Sequence, residues 1–233
     1  IKKHLDQVRP DLSDELDLKR AMERIREYLD EHKLKHWALK ILDDSAVDIQ
    51  VTKRDVILMK KGATFQENRL KALLVHEVGT HVFRFENGKR QPLRILERGT
   101  ARYLQTEEGM AVYNQNQLGL DLGDKFLTGA YLIVAVYMAQ KMGFLDLYNY
   151  LRSTFNIEEN LAWKLCLKSK RGFKNPNQPG AFHKDIVYYK GMREVNEFLK
   201  KGDMKDLYYG KYKIADLELI KQVPGLKDPK FLV

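Results

Sequence analysis

Between Asp14 and His32 the apolar residues Leu16, Leu18, Met22, Ile25 and Leu29 recur at helical spacing among charged ones, which predicts an amphipathic helix covering a core. From His36 the period changes to that of strands. HWALKILDD, AVDIQVTK and DVILMKK follow one another, separated by Asp43-Asp44-Ser45 and by Lys53-Arg54, and predict a small antiparallel sheet. After Gly62-Ala63-Thr64 the helical period returns in Leu70 to Asn87, then in TEEGMAVYNQNQLGL from Thr106 and in the mostly apolar stretch Asp124 to Met142. Leu145 to Phe155, Ile157 to Lys170 and His183 to Lys201 continue it. KRGFKNPNQPG, from Lys170 to Gly180, carries two Gly and two Pro and reads as a loop. Strands gathered early and helices after them define an α+β class, mainly helical, with the small sheet preceding the helix that starts near Leu70.

Length and composition fit this outline. A chain of 233 residues with 44% hydrophobic content builds a sizeable interior, and we expect a single domain, 1–233. Its sheet and histidine-bearing helix would occupy about 36–122 and its helical part about 123–233. The lone Cys166 forbids an internal disulfide and suits a reducing, cytoplasmic setting; in LAWKLCLK it reads as a small apolar core residue. Phe126 to Gln140 is uncharged but shorter than the roughly 20 residues a membrane span needs, so a buried helix is expected there. Net charge is +9, from 41 Lys and Arg against 32 Asp and Glu, which favours an acidic partner. The basic residues are interspersed with acids, and no ribonucleoprotein signature or paired-cysteine finger is present, so no specific nucleic-acid partner is expected.

The chemistry lies in His76-Glu77-Val78-Gly79-Thr80-His81. In the familiar zinc-peptidase helix two histidines four apart share one face and one ion, and the Glu between them handles protons. Here the spacing is five. On a regular helix the fifth step leaves the rings roughly 140° apart, too far to share an ion. One residue absorbed as a single-turn π-bulge restores a common face, and Gly79 lies where that distortion must fall. A catalytic zinc usually has a third protein ligand. His4, His32, His36 and His183 lie in no motif, whereas Glu107 and Glu108 open the next predicted helix; helical phase does not separate the two.

A resemblance does. In zinc peptidases whose third ligand is a glutamate on a second helix, that residue often directly precedes Gly, the place Glu108 holds before Gly109. Small Gly109 would let the backbone approach the metal site, and Glu107 would be an acid behind the ligands or in the first turn. FQENRLKALLVHEVGTH, NGKRQP, TEEGMAVY and QPGAFHKDIVYYKG, in this order, resemble the microtubule-associated tyrosine carboxypeptidase family, which has bacterial relatives named for a QEGLA motif. The resemblance spans about Phe65 to Gly191; Met110 stands where the family often has Leu. It implies a gluzincin-like fold and one Zn2+ per chain, held by His76, His81 and Glu108. Glu77 would be the catalytic base. The implied reaction removes a C-terminal residue, aromatic or acidic, from a peptide or an acidic protein tail. Arg171 and Lys184 are then candidates for the terminal carboxylate, and Tyr188 for a donor to the developing oxyanion. The alternatives are a zinc endopeptidase or aminopeptidase, or a nonenzymatic basic module with a structural metal.

Overall fold

The computed structural model describes residues 13–45, 47–52, 54–120 and 125–233. They divide into two compact units, one made of 13–120 with 190–233, the other of 125–189. Among the histidines, His4 lies outside the described residues.

In the larger unit β1 (Glu15–Leu16) leads into α1 (Leu18–Glu31), where the side chain of Asp17 accepts from Arg20 N at 2.8 Å and caps the first turn. Ala21, Ile25 and Leu29 form its buried stripe, as the periodicity requires, with Leu18 and Met22 half-buried beside them. Next come β2 (Ala38–Leu42), β3 (Ile49–Val51), β4 (Val56–Lys60) and β5 (Phe65–Gln66), the last pairing antiparallel with β1.

The three-stranded sheet differs from the expected antiparallel one. Its order is β2-β4-β3, with β3 antiparallel to β4 but β2 parallel to it. Burial explains the order. Ile57 and Met59 on β4 are fully buried, so β4 takes the centre, while Ile41 and Leu42 on β2 are exposed and suit an edge. Two chain reversals separate β2 from β4, so the strands run the same way once the hairpin swings β4 inward.

A continuous helical rod follows: α2 (Glu67–His76), a π-helical turn at Glu77–Val82 and α3 (Phe83–Lys89). Val78, Val82, Phe83 and Phe85 from this rod join Trp37, Ile57, Met59 and Phe65 in one core, each large side chain contributing about 1.5–3 kcal/mol by leaving water. After α4 (Ile95–Arg98), α5 (Leu104–Gln117) is the helix expected near Thr106. The C-terminal residues, without a readable period in sequence, form short 3-10 turns at Met204–Tyr208 and Ile214–Asp216 and then α10 (Leu217–Lys221). The segment beyond is held by the NGKRQP motif. Asn87 Oδ1 accepts from the backbone N of Lys230 and Phe231, and the Gln91 amide pairs with the backbone of Lys227.

The smaller unit packs α6 (Lys125–Ala139), α7 (Phe144–Phe155) and α8 (Glu159–Lys170) around Tyr131, Ala135, Leu147, Leu151, Leu165 and Cys166. Cys166 is buried and unpaired, and burial pushes its thiol up to about 12, so it is an apolar packing residue. Residues 171–180 form the expected loop. α9 (Ile186–Phe198) begins in this unit and ends in the larger one. No described helix is long and apolar enough to cross a membrane.

Candidate metal centre

The five-residue spacing is accommodated by the π turn, whose extra residue returns His81 to the side of His76; the two imidazole centroids are 5.0 Å apart, edge to face. Side chains support this turn. Thr80 Oγ1 donates to Val75 O at 3.1 Å, Tyr208 OH donates to Gly79 O at 2.9 Å, and Asn114 Nδ2 donates to both Thr80 Oγ1 and Tyr208 OH. All three polar side chains are buried. Gly79 has a packing reason as well: a Cβ there would stand 2.6 Å from Val233 Cγ2.

Ligand atoms of His76, Glu77 and His81 lie within 4.8 Å of one another. The carboxylate of α5 that faces both rings is that of Glu108. Its Oε2 is 3.5 Å from His76 Nε2 and 3.6 Å from His81 Nε2, too long for good hydrogen bonds, and that oxygen is buried with no hydrogen-bond partner among the described residues. Burial alone would raise the Glu108 carboxyl, but the imidazoles of His76 and His81 outweigh it and hold it low. Two imidazole nitrogens, each within 3.6 Å of a carboxylate oxygen, are a donor set that suits zinc.

Glu107, one residue earlier, points elsewhere. Its Oε1 accepts from His81 Nδ1 at 2.9 Å and from Lys211 Nζ at 2.8 Å, and its Oε2 accepts from Arg84 Nη1 at 2.5 Å. Arg84 is fully buried and also donates to the backbone carbonyls of Leu207 and Tyr212, each at 3.0 Å. Burial opposes ionisation of Glu107, yet Lys211, Arg84 and the bond from His81 together hold its carboxyl far below the usual range. Burial likewise lowers His81, but the bond to Glu107 and the charges of Glu108, Glu107 and Glu77 prevail and push it up to about 9. A group of carboxylates able to do that also favours a dication.

Gly109 also has a packing role. A Cβ on it would lie 2.1 Å from the carbonyl carbon of Gly191, and one on Gly191 would lie 1.9 Å from Gln105 O. The two glycines let α5 and α9 cross backbone to backbone, and Gln105 Nε2 donates to Glu194 across the same crossing.

Sequence reasoning missed Arg84, Asn114, Tyr208 and Lys211. Arg84 left one signal, a lone charge inside the apolar run HVFRF. The other three left none, since their partners lie 34 to 129 positions away in the chain. A second group, His36, Asp55 and Glu86, also has ligand-like spacing. Lys89 Nζ already fills it, 2.7 Å from Asp55 and 3.0 Å from Glu86, so it is an ion-pair cluster.

Arg171, Lys184 and Tyr188 belong to the helical unit. Arg171 lies 4.1 Å over the Phe182 ring and its Nη2 donates to Asp185 Oδ1 at 3.0 Å. Lys184 is exposed in the turn before α9, and Tyr188 lies in the first turn of that helix, 39% exposed.

The larger unit thus brings His76, Glu77 and His81 of the π-distorted helix together with Glu108 of α5. A family model described as microtubule-associated tyrosine carboxypeptidase matches residues 3–232, and the chain belongs to that family. Among curated proteins it is 32% identical over 179 residues to "Putative tyrosine carboxypeptidase MATCAP2" of Mus musculus, which covers 73% of this chain and 34% of that protein. It is 36% identical over 132 residues to microtubule-associated tyrosine carboxypeptidase 1 of Mus musculus, covering 54% of this chain and 27% of that protein. The chain therefore spans about a third of the length of the curated relatives it matches.

Proposed function

We propose that this chain is a zinc carboxypeptidase in which His76, His81 and Glu108 hold one zinc ion and Glu77 moves the protons. The observation that carries the reading is the convergence of the two Nε2 atoms on the buried, unpartnered Oε2 of Glu108. Zinc supplies Lewis acidity that makes water a nucleophile at neutral pH. Glu77, beside His76 and half-buried, takes the proton of the attacking water and delivers it to the leaving amine. His81 keeps one ring nitrogen toward Glu108 while the other donates to Glu107.

The carboxypeptidase half of the reading rests on family membership. A gluzincin-like arrangement, a single catalytic domain, a cytoplasmic setting and a preference for aromatic or acidic C-terminal residues on acidic tails are part of the same proposal. So is the assignment of Arg171 and Lys184 to the terminal carboxylate and of Tyr188 to the oxyanion, which the resemblance alone supports. The test is to incubate the zinc-loaded chain with a peptide library containing both free and amidated C-termini and to identify products by mass spectrometry. Loss of single C-terminal residues from free acids only is expected. Internal cuts, or equal cleavage of the amides, would make it an endopeptidase.

A further inference from the structure

Among the ionisable groups that the larger unit buries and the proposed reaction does not use are Glu107, Arg84 and Lys211. They meet on one carboxylate. We propose that Glu107 is a positioning residue for the metal centre: gripped by Arg84 and Lys211, it holds the His81 ring with Nδ1–H turned to itself and Nε2 turned to Glu108. The inference rests on the metal reading above and names what sets the strength of that site.

The geometry leaves Glu107 no other task. Arg84 takes Oε2, and Lys211 shares Oε1 with His81, so the carboxylate has three charged or polar donors at 2.5 to 2.9 Å and is only 2% exposed. Neither oxygen is left to ligate an ion beside Glu108. The cations are fixed in turn. Arg84 is one helical turn beyond His81 on the same rod and also donates through Nε to Leu207 O and through Nη2 to Tyr212 O, while Lys211 lies in the chain between those two residues. A ring held through its distal nitrogen loses less freedom when it binds a metal, and its tautomer is already chosen. The C-terminal segment thereby acts on the centre without touching the ion.

Gln at this position keeps the volume but offers one carbonyl oxygen in place of two, and its NH2 faces a donor. It cannot accept from His81, Arg84 and Lys211 together. The test compares wild type, Glu107→Gln and His76→Ala by competition for zinc against a chromophoric chelator, with thermal melts of the metal-free proteins as the folding control. We expect Glu107→Gln to fold and to bind zinc about 10- to 100-fold more weakly than wild type, and His76→Ala to lose the site. Wild-type affinity in a folded Glu107→Gln, with His76→Ala still deficient, overturns the positioning role and leaves the metal reading standing. If wild type takes up no zinc, or His76→Ala binds as wild type does, the metal reading itself falls. Should Glu107→Gln not fold, proton NMR of the zinc-loaded wild type decides: the His81 Nδ1 proton is expected to exchange slowly with water. Exchange as fast as that of the half-exposed His36 ring overturns the proposal.

Discussion

Lys211 and Lys170 are both buried ammonium groups, and they are used in opposite ways. Lys211 meets a carboxylate that a second buried cation shares and that is itself bonded to a histidine of the proposed centre. Lys170 meets no carboxylate among the described residues. Its Nζ lies within 2.5 to 2.9 Å of the backbone oxygens of Ala139, Met142, Gln178 and Gly180, joining the end of α6, the turn after it and the loop 171–180. A cation among neutral carbonyls ties chain to chain and ends there. A cation on a carboxylate that in turn holds a ring passes its position on to a reactive group. The difference separates a fastening from a site, although both regions are rich in charge and glycine when read as sequence.

The sharpest way to break the comparison is to remove the proton carrier from the proposed centre alone. Glu77→Gln changes no ligand and no member of the Arg84, Glu107 and Lys211 cluster. It is expected to keep wild-type zinc content and melting temperature while turnover falls by about 10² to 10⁴. Turnover equal to wild type would show that Glu77 is not the base.

The complementary change is Lys170→Met, which keeps an apolar stem and removes the donors from four carbonyls. Leaving buried acceptors unpaired, with some recovered by water, is expected to cost about 2–4 kcal/mol in denaturant unfolding. Zinc affinity should stay at the wild-type value. A loss of zinc affinity matching that of Glu107→Gln would mean that the fastening and the site are one system after all.

How far sequence reached follows the same division. The π turn was legible because the five-residue spacing of His76 and His81 conflicts with a regular helix and Gly79 marks the place. Most helices were legible from apolar periodicity, and α1 is buried along a stripe that Ile25 and Leu29 mark. The sheet was read in composition but not in order, because parallel pairing of β2 with β4 depends on which strand the core buries. Gly109 was noticed for its neighbour Glu108, yet its constraint is a crossing with Gly191, 82 residues on, and nothing local encodes it. Tyr208 and Lys211 were illegible for the same reason. They lie in or just after a short 3-10 turn without a readable period, and their roles exist only once that chain is folded against α5 and the π turn.

The smallest expected effect on stability belongs to Arg171, the residue after Lys170. Its side chain is 54% exposed and its pairing with Asp185 is of the surface kind, so Arg171→Ala should change unfolding free energy by less than about 1 kcal/mol. The informative readout is elsewhere. In the proposed reaction Arg171 takes the substrate's terminal carboxylate, and in the structure that guanidinium already bonds the carboxylate of Asp185, so an incoming tail must compete with it. Asp185→Asn would weaken the internal competitor, and Arg171→Ala would remove the anchor. The first is expected to lower KM for a free-acid peptide and the second to raise it, with the amidated peptide left uncleaved by both. Two changes of opposite sign on one substrate cannot come from general loosening of the loop, which would move both variants the same way. If KM moves in the same direction in both, or in neither, Arg171 is a surface cation stacked on Phe182 and the anchor falls to Lys184.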